Sequence, residues 1–509
     1  MKAKIRKKLA RCKRRLERRL DRKNLGDRTK PVFLSGIINY EIGDRTQAIG
    51  CGGIGIIHNL VERLGLAKAI NDNLKLLAFP MPYFESDHVL NIAYNVLCGG
   101  TCLEDLELRR QDENFLNALG ARRIPDPTTA GDFCRRFGRE DIATLQRVFD
   151  DIRLKIWSQQ PSTFFAQARI DMDGHLVETT GQCKQGMDIA YNGTWGYHPL
   201  LLSLANTGEV LRIVNRSGNR PSHEGAAEQV DQALKVCFRG GFRQVLLRGD
   251  TDFSQTEHLD RWTADARVQF IFGYDAMANL QEKAADLPAS AWQPLERPPR
   301  YQVQTEPRAK PDKVKDRIVQ EREFEKLTLE EEHVAEFDYR PHACRRDYRM
   351  VVLRKMIRVE KGQQLLLPKE VCFFYITNDR TSAAATIVFL ANDRCQQENL
   401  IAQLSGGVRA LRAPVDNLIS NWAYMVMASL AWNLKAWLAL SLPEPAGRYA
   451  DERREEKRQL LTMEFKKFVN VFIMLPCQIV RTARRLIYRL LSWNPWHPVF
   501  FRLCNVLRC

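Results

Sequence analysis

Carboxylates at strand ends are the residues of this sequence whose spacing bears on chemistry. Arg169-Ile-Asp171-Met-Asp173-Gly174-His175 reads as a strand ending in a glycine break. Alternation with period two puts Asp171 and Asp173 on one face. Far along the chain, Arg248-Gly-Asp250-Thr-Asp252-Phe253 again sets two aspartates at the end of a short apolar strand, 244–247. Glu398 lies with Arg394 on a later helical stretch, 393–404. Carboxylates seldom stay inside a protein unless they are paired or hold a metal. Taken alone, the Asp171–Asp173 pair fits a solvated strand end equally well. Three acids on rigid elements suit Mg²⁺, a hard ion that takes carboxylate oxygens and keeps several waters. Two such ions about 3.5–4 Å apart stabilise both the attacking and the leaving oxygen of a phosphodiester. His175, His198 and His223 are scattered at spacings that fit no zinc motif.

The elements that must hold these acids follow in a recognisable order. Residues 164–173 read as a strand. Residues 197–205 and 209–214 are strands joined by the tight turn Asn206-Thr207-Gly208, and Asn192-Gly193 is another hairpin signal. Residues 225–239 form a helix with Ala226, Val230, Leu234 and Cys237 on one face. A strand at 244–247, a helix at 255–264 and a strand at 267–274 complete the run. The order β-β-β-α-β-α-β with a later helix is that of an RNase H-like α/β core. In that fold the first strand and the end of the fourth lie side by side. Asp173 with Asp171, and Asp250 with Asp252, fall at those two places, and Glu398 falls on the later helix. Separate weak signals agree.

The remaining chain divides around this core. The protein has 509 residues and a formal net charge of +16, with a pI of about 9.3. Such a surplus points to a polyanionic partner, above all nucleic acid. Residues 1–30 hold fifteen Lys/Arg against Glu17, Asp21 and Asp27, and so supply +12 of that charge. Ile5, Leu9, Cys12, Leu16 and Leu20 recur there at helical spacing, as in a basic amphipathic arm for DNA or a membrane surface. Residues 31–160 read as a helical DNA-binding or dimerisation domain, in which Arg122, Arg123, Arg135, Arg136 and Arg139 face either phosphates or solvent. Cys51-Gly-Gly-Ile-Gly55 is a turn before a helix, since it lacks the Lys-Ser/Thr of a phosphate loop. Core segments are expected at 161–280 and 381–445, with a β-rich insertion at 281–380 whose charged part, 306–333, reads as linker or surface. The apolar stretch 417–440 is a core helix carrying Trp422, Tyr424, Trp432 and Trp437. Residues 446–509 read as a helical basic tail in which Arg481, Arg484, Arg485 and Arg489 form one run.

Thirteen cysteines show no CxxC, and Cys98 and Cys102 have no second pair to complete a zinc site. They read as reduced, buried thiols of a cytoplasmic protein. No apolar region follows the basic N-terminus, so a secretory signal is not expected. The apolar run 469–479 is too short for a bilayer and contains Pro476. Neither a membrane nor a small-molecule substrate is expected.

As a set, four stretches resemble the DDE transposases of the IS1380 group, within the wider IS4-type transposases. They are Asp171-Met-Asp-Gly174, Tyr191-Asn-Gly-Thr-Trp-Gly-Tyr-His-Pro-Leu200, Arg248-Gly-Asp-Thr-Asp-Phe253, and Asn392-Asp-Arg394 through Glu398-Asn-Leu-Ile401. The resemblance runs from about residue 50 to about 440. It implies a bacterial insertion-sequence transposase, nucleoid-associated, that binds terminal inverted repeats as a homodimer and cuts and pastes DNA. It implies two Mg²⁺ ions, with Mn²⁺ as a substitute, on Asp173, Asp250 and Glu398. Asp173 fits the family pattern better than Asp171, although His175 stands where threonine is usual, and Asp252 takes a glycine's place. Asp171 and Asp252 become supporting acids. Arg394 and Glu398 match the Tyr-x2-Arg-x3-Glu-x6-Lys signature, while Ala391 and Ser405 replace its Tyr and Lys. Arg248, Arg394, Arg409 and Arg412 are then expected to contact DNA, with Trp195 stacking on an end base. Two rival readings share the acids. One is another RNase H-like metal nuclease, and the other is a DNA-binding protein with a decayed nuclease core.

Overall fold

In the computed structural model, which describes residues 3–21, 40, 47–79, 82–297, 313–362, 364–445, 447–482 and 485–507, one ten-stranded sheet carries the acids. Its strands are β1 (Gln167–Gly174), β2 (Leu200–Leu204), β3 (Glu209–Val214), β4 (Gln244–Gly249), β5 (Val268–Tyr274), β6 (Gln293–Pro294), β7 (Glu325–Tyr339), β8 (Tyr348–Lys361), β9 (Gln364–Leu365) and β10 (Lys369–Thr377). The spatial order is β6-β7-β8-β10-β5-β4-β1-β2-β3, with β9 beside β8. Strands β1, β2 and β3 form an antiparallel meander. Strand β4 lies parallel to β1, and β5 parallel to β4. Helix Ala226–Gly240 makes the crossover from β3 to β4, and Thr256–Thr263 the one from β4 to β5. This 3-2-1-4-5 arrangement is the RNase H-like α/β core expected from the order of elements.

The insertion is not a separate β body. Strand β10 pairs with β5 from Phe374↔Tyr274 to Thr377↔Ile271, so β7, β8 and β10 continue the core sheet. Part of the expected linker is also ordered. Helix Val314–Glu321 and the first half of β7 occupy it, and the dense charge sits on exposed strand faces.

Helix Leu418–Leu440 closes the edge at β3. Every residue from Ser420 to Leu440 is buried, as a helix apolar on all sides requires. Its tryptophans and Asn433 are satisfied by that edge. The indole N–H groups of Trp422, Trp432 and Trp437 donate to Ile213 O (2.5 Å), Gly208 O (2.6 Å) and Glu209 Oε1 (2.8 Å). Asn433 exchanges two hydrogen bonds with the Val210 backbone. A tryptophan buried in this way keeps its apolar area without leaving its N–H unpaired.

Helices fill the region before the core, at Ile54–Leu64, Leu66–Asn73, Glu85–Leu97, Pro127–Arg135 and Arg139–Trp157 among others. An ionic cluster ties the last of them to the sheet. Glu209, with no exposure, accepts from Arg153 Nε (3.0 Å), Trp157 Nε1 (3.0 Å) and Thr207 Oγ1 (2.7 Å). Asp150 pairs with Arg153 and, bidentately, with Arg212 (2.9 and 2.6 Å).

The tail is helical at Ala450–Thr462 and His497–Leu507, and between them it forms a hairpin of Cys477–Thr482 and Arg485–Leu490. Arg484 lies outside the described residues. Ala48–Ile49 adds a third strand to this hairpin. The Cys51–Gly55 turn fits against the same tail, because a Cβ on Gly53 would meet Phe472 O at 1.7 Å. Its glycines therefore serve close backbone packing. The N-terminal arm is a helix, Ala3–Arg19, with no buried residue. No disulfide joins the described cysteines. Cys98 is buried as expected, but Cys102 is exposed. No described helix is long and apolar enough to cross a membrane.

Candidate active site

Strand pairing sets the acids side by side. In the parallel β1–β4 ladder Asp171 is level with Arg248, so Asp173 and Asp250 leave the sheet together at the same end. Gly174 ends β1 where a Cβ would lie 2.6 Å from His198 Nε2 and force that ring to move. Asp250 ends β4 and caps the short turn Thr251–Phe253, accepting the Asp252 backbone N–H at 3.1 Å. Asp252 itself is exposed. The third acid arrives on helix Cys395–Ala402, which packs against β1. Gln397 fixes this helix by bonding Ser203 Oγ and Leu201 O on β2. Glu398, the next residue, is exposed and adds to the negative field at Asp173.

Arg394 stands between the two aspartates. Its Nη1 lies 3.2 Å from Asp173 Oδ2 and its Nη2 3.9 Å from Asp250 Oδ2. Asp173 also accepts the Gly174 N–H at 2.9 Å. Burial pushes the Asp173 carboxyl up to about 6; Arg394 opposes the shift, and Asp250 and Glu398 add to it. Burial also raises Asp250, again against Arg394. The centre therefore holds more negative charge than one guanidinium balances.

A match of residues 46–509 to the family described as transposase DDE domain group 1 covers this whole arrangement. The chain belongs to that family. A cryo-EM structure of the piggyBac transposase synaptic complex with hairpin DNA is similar at a TM-score of 0.37 and 10% identity, over 83% of this chain and 82% of that one. That likeness is too distant to transfer residue roles. No curated protein matches the chain.

DDE transposase domains generally use divalent metal ions. The donors here suit such an ion, being hard carboxylate oxygens in a half-buried place short of positive charge. They are not closed into a chelate. Among the described residues, no three His, Cys, Asp or Glu side chains stand close enough together to hold a metal. Arg394 takes the space between the two aspartates.

Two expected site residues of this transposase domain fall elsewhere. Arg248 does not face DNA. It has no exposure and grips Asp171 bidentately, Nε–Oδ1 at 2.6 Å and Nη2–Oδ2 at 2.8 Å. Its Nη1 bonds Leu390 O (2.9 Å) and Asp393 Oδ2 (3.1 Å). Asp171, 1% exposed, is thereby committed to the guanidinium and offers no free oxygen to a metal. The pair instead anchors the end of helix Ala384–Asn392 and so positions Arg394. Asp393, which sequence reasoning passed over, is the third member of this clamp; its position just before Arg394 is the only signal it gives.

The other expected DNA contacts are set on different elements. The Glu398 helix ends in a wide π turn, Gln403–Gly407, a feature frequent at functional sites. Within it Ser405, at the position of the signature lysine, lies 3.0 Å from His175 Nε2. Arg412 is exposed and its charge acts on His175. Arg409 has φ +55° and is half-buried, and its carbonyl accepts from Tyr424 (3.2 Å). Trp195 is 53% exposed on a separate small sheet, with Ile189 and Tyr191 also exposed.

Proposed function

We propose that the chain is the transposase of a bacterial insertion sequence of the IS1380 kind, which cuts DNA at the terminal inverted repeats and joins the freed 3′-OH to target DNA. Asp173 and Asp250 side by side at one end of an RNase H-like sheet, with Arg394 between them and Glu398 on the helix packed against β1, carry this reading. Two Mg²⁺ ions, or Mn²⁺, held by these three acids would neutralise charge on the attacking and leaving oxygens and promote deprotonation of the nucleophile. Asp173 and Asp250 hold their carboxylates on the ends of paired strands, which fixes their backbone positions. Asp252 supports Asp250 through its backbone N–H. Arg394, Arg409 and Arg412 orient backbone phosphates, and the exposed Trp195 stacks on an end base. The Ala3–Arg19 helix and the helical domain after it read the ends, and a homodimer brings two ends together. The protein acts in the cytoplasm, on the nucleoid.

Labelled transposon-end DNA incubated with the protein and Mg²⁺ tests this. Strand-transfer products are expected. Nicks alone would identify a metal nuclease, and a shifted, intact band a binding protein with a decayed core. Asp250→Asn should abolish both chemical steps and leave end binding unchanged; cleavage by that variant would remove Asp250 from the centre.

A further inference from the structure

We propose that Arg394 is a counter-ion latch: its guanidinium holds Asp173 and Asp250 while no divalent ion is bound, and DNA releases it by offering a backbone phosphate in exchange. The inference rests on the reading above that these acids hold divalent ions.

Three observations carry it. The guanidinium reaches both aspartates, one oxygen each, at 3.2 and 3.9 Å. A cation shared by two carboxylates occupies the electrostatic place of a bridging ion, and like charges a few ångströms apart repel strongly in a half-buried site. Arg394 and a divalent ion therefore exclude each other. Second, the contact is made to open. Arg394 is 18% exposed and neither carboxylate is gripped bidentately, whereas Arg248 beside it is sealed and held by four hydrogen bonds. Third, Arg394 sits between two helices, Ala384–Asn392 and Cys395–Ala402, at the junction that the Arg248–Asp393 contact fixes. Its side chain can swing while its backbone stays. Guanidinium binds phosphate as readily as carboxylate, so the exchange keeps the cation paired.

The consequence is reciprocal coupling between DNA and metal. The free protein binds metal weakly, and the nuclease centre completes itself only on DNA.

Mn²⁺ binding to the full chain, followed by electron paramagnetic resonance of free Mn²⁺, tests the latch without any turnover. Without DNA, Arg394→Gln should bind Mn²⁺ about tenfold more tightly than wild type, within the usual range of such couplings. Arg394→Lys, which keeps the charge but loses the fork, should fall between them. A random-sequence 20-base-pair duplex at low salt should tighten Mn²⁺ binding to the wild type and leave Arg394→Gln unchanged. Equal or weaker binding by Arg394→Gln, with its melting transition intact, overturns the latch. Equal tightening of both proteins by DNA overturns the exchange. If no protein binds Mn²⁺ with or without DNA, or if Asp173→Asn binds it as well as wild type, the assignment of the acids to a metal falls instead.

Discussion

Two aspartate–arginine pairs sit on one strand face, two residues apart, and they do opposite work. Asp171 and Arg248 are sealed, bidentate and tied to a second acid, Asp393. Asp173 and Arg394 are each nearly one-fifth exposed and share a single contact. The sealed pair has its charges matched and its donors used, so it offers nothing to a ligand. The open pair is short of positive charge and keeps lone pairs free. Residue type is the same in both. Burial and completeness of pairing separate the clamp from the reactive centre.

The largest effects should come from breaking each pair in turn. Asp173→Asn should reduce end cleavage and strand transfer by about 10³-fold or more, while shifting unfolding free energy by less than about 1 kcal/mol. Asp171→Asn should do the reverse. It leaves buried Arg248 with Asp393 as its one carboxylate, which costs about 1.5–3 kcal/mol in urea unfolding, while activity per folded molecule falls far less than in Asp173→Asn. If Asp171→Asn proved stable and inactive, the division of labour between the pairs would be lost.

Lys435 sharpens the contrast, because it is sealed without a carboxylate. It is 1% exposed, donates to Leu461 O at 2.8 Å and lies 3.9 Å from the Trp432 ring centre. Burial lowers its pKa from 10.5 to about 7. Between those values the unfolded chain takes up a proton that the folded chain does not, so this lysine makes stability rise with pH from about 7 towards 10.5. Lys435→Met should remove that rise. Melting curves at pH 7 and pH 9.5 should therefore diverge for the wild type and run closer together for the variant. A parallel response would mean that Lys435 is charged when buried.

The smallest effect is expected at Trp195. It is over half exposed, so Trp195→Ala should change unfolding free energy by less than about 0.5 kcal/mol while weakening binding to frayed-end DNA. A large stability loss would mark it as a packing residue instead.

The core strands were legible because their turns are explicit, as at Asn206-Thr207-Gly208, and because strand period two fixes which acids share a face. That same period could not separate Asp171 from Asp173. Only the register opposite Arg248 does so, and register between distant strands is not written locally. Arg248 was misread for the related reason that an arginine reads as surface until its partners are known. The Glu209 cluster gave no signal, since Arg153, Asp150 and Arg212 converge from a helix and a strand. Residues 485–490 do alternate in burial. Arg481, Arg485 and Arg489 recur every fourth residue, and that spacing imitates a helix. The joining of the insertion to the core sheet was hidden because any strand edge can accept any other.

The hairpin that takes Ala48–Ile49 as its third strand has a consequence for how the protein is made. Helix Ile54–Leu64 is covered by His497–Leu507, and the turn at Gly52 and Gly53 rests on residues 472–477. A helix that precedes the catalytic sheet is thus completed by one that follows it. Contacts spanning over four hundred residues close late and slowly. A ribosome that stops before residue 477 releases a chain whose catalytic sheet is fully encoded but whose Ile54–Leu64 helix and Gly52-Gly53 turn lack the tail that covers them.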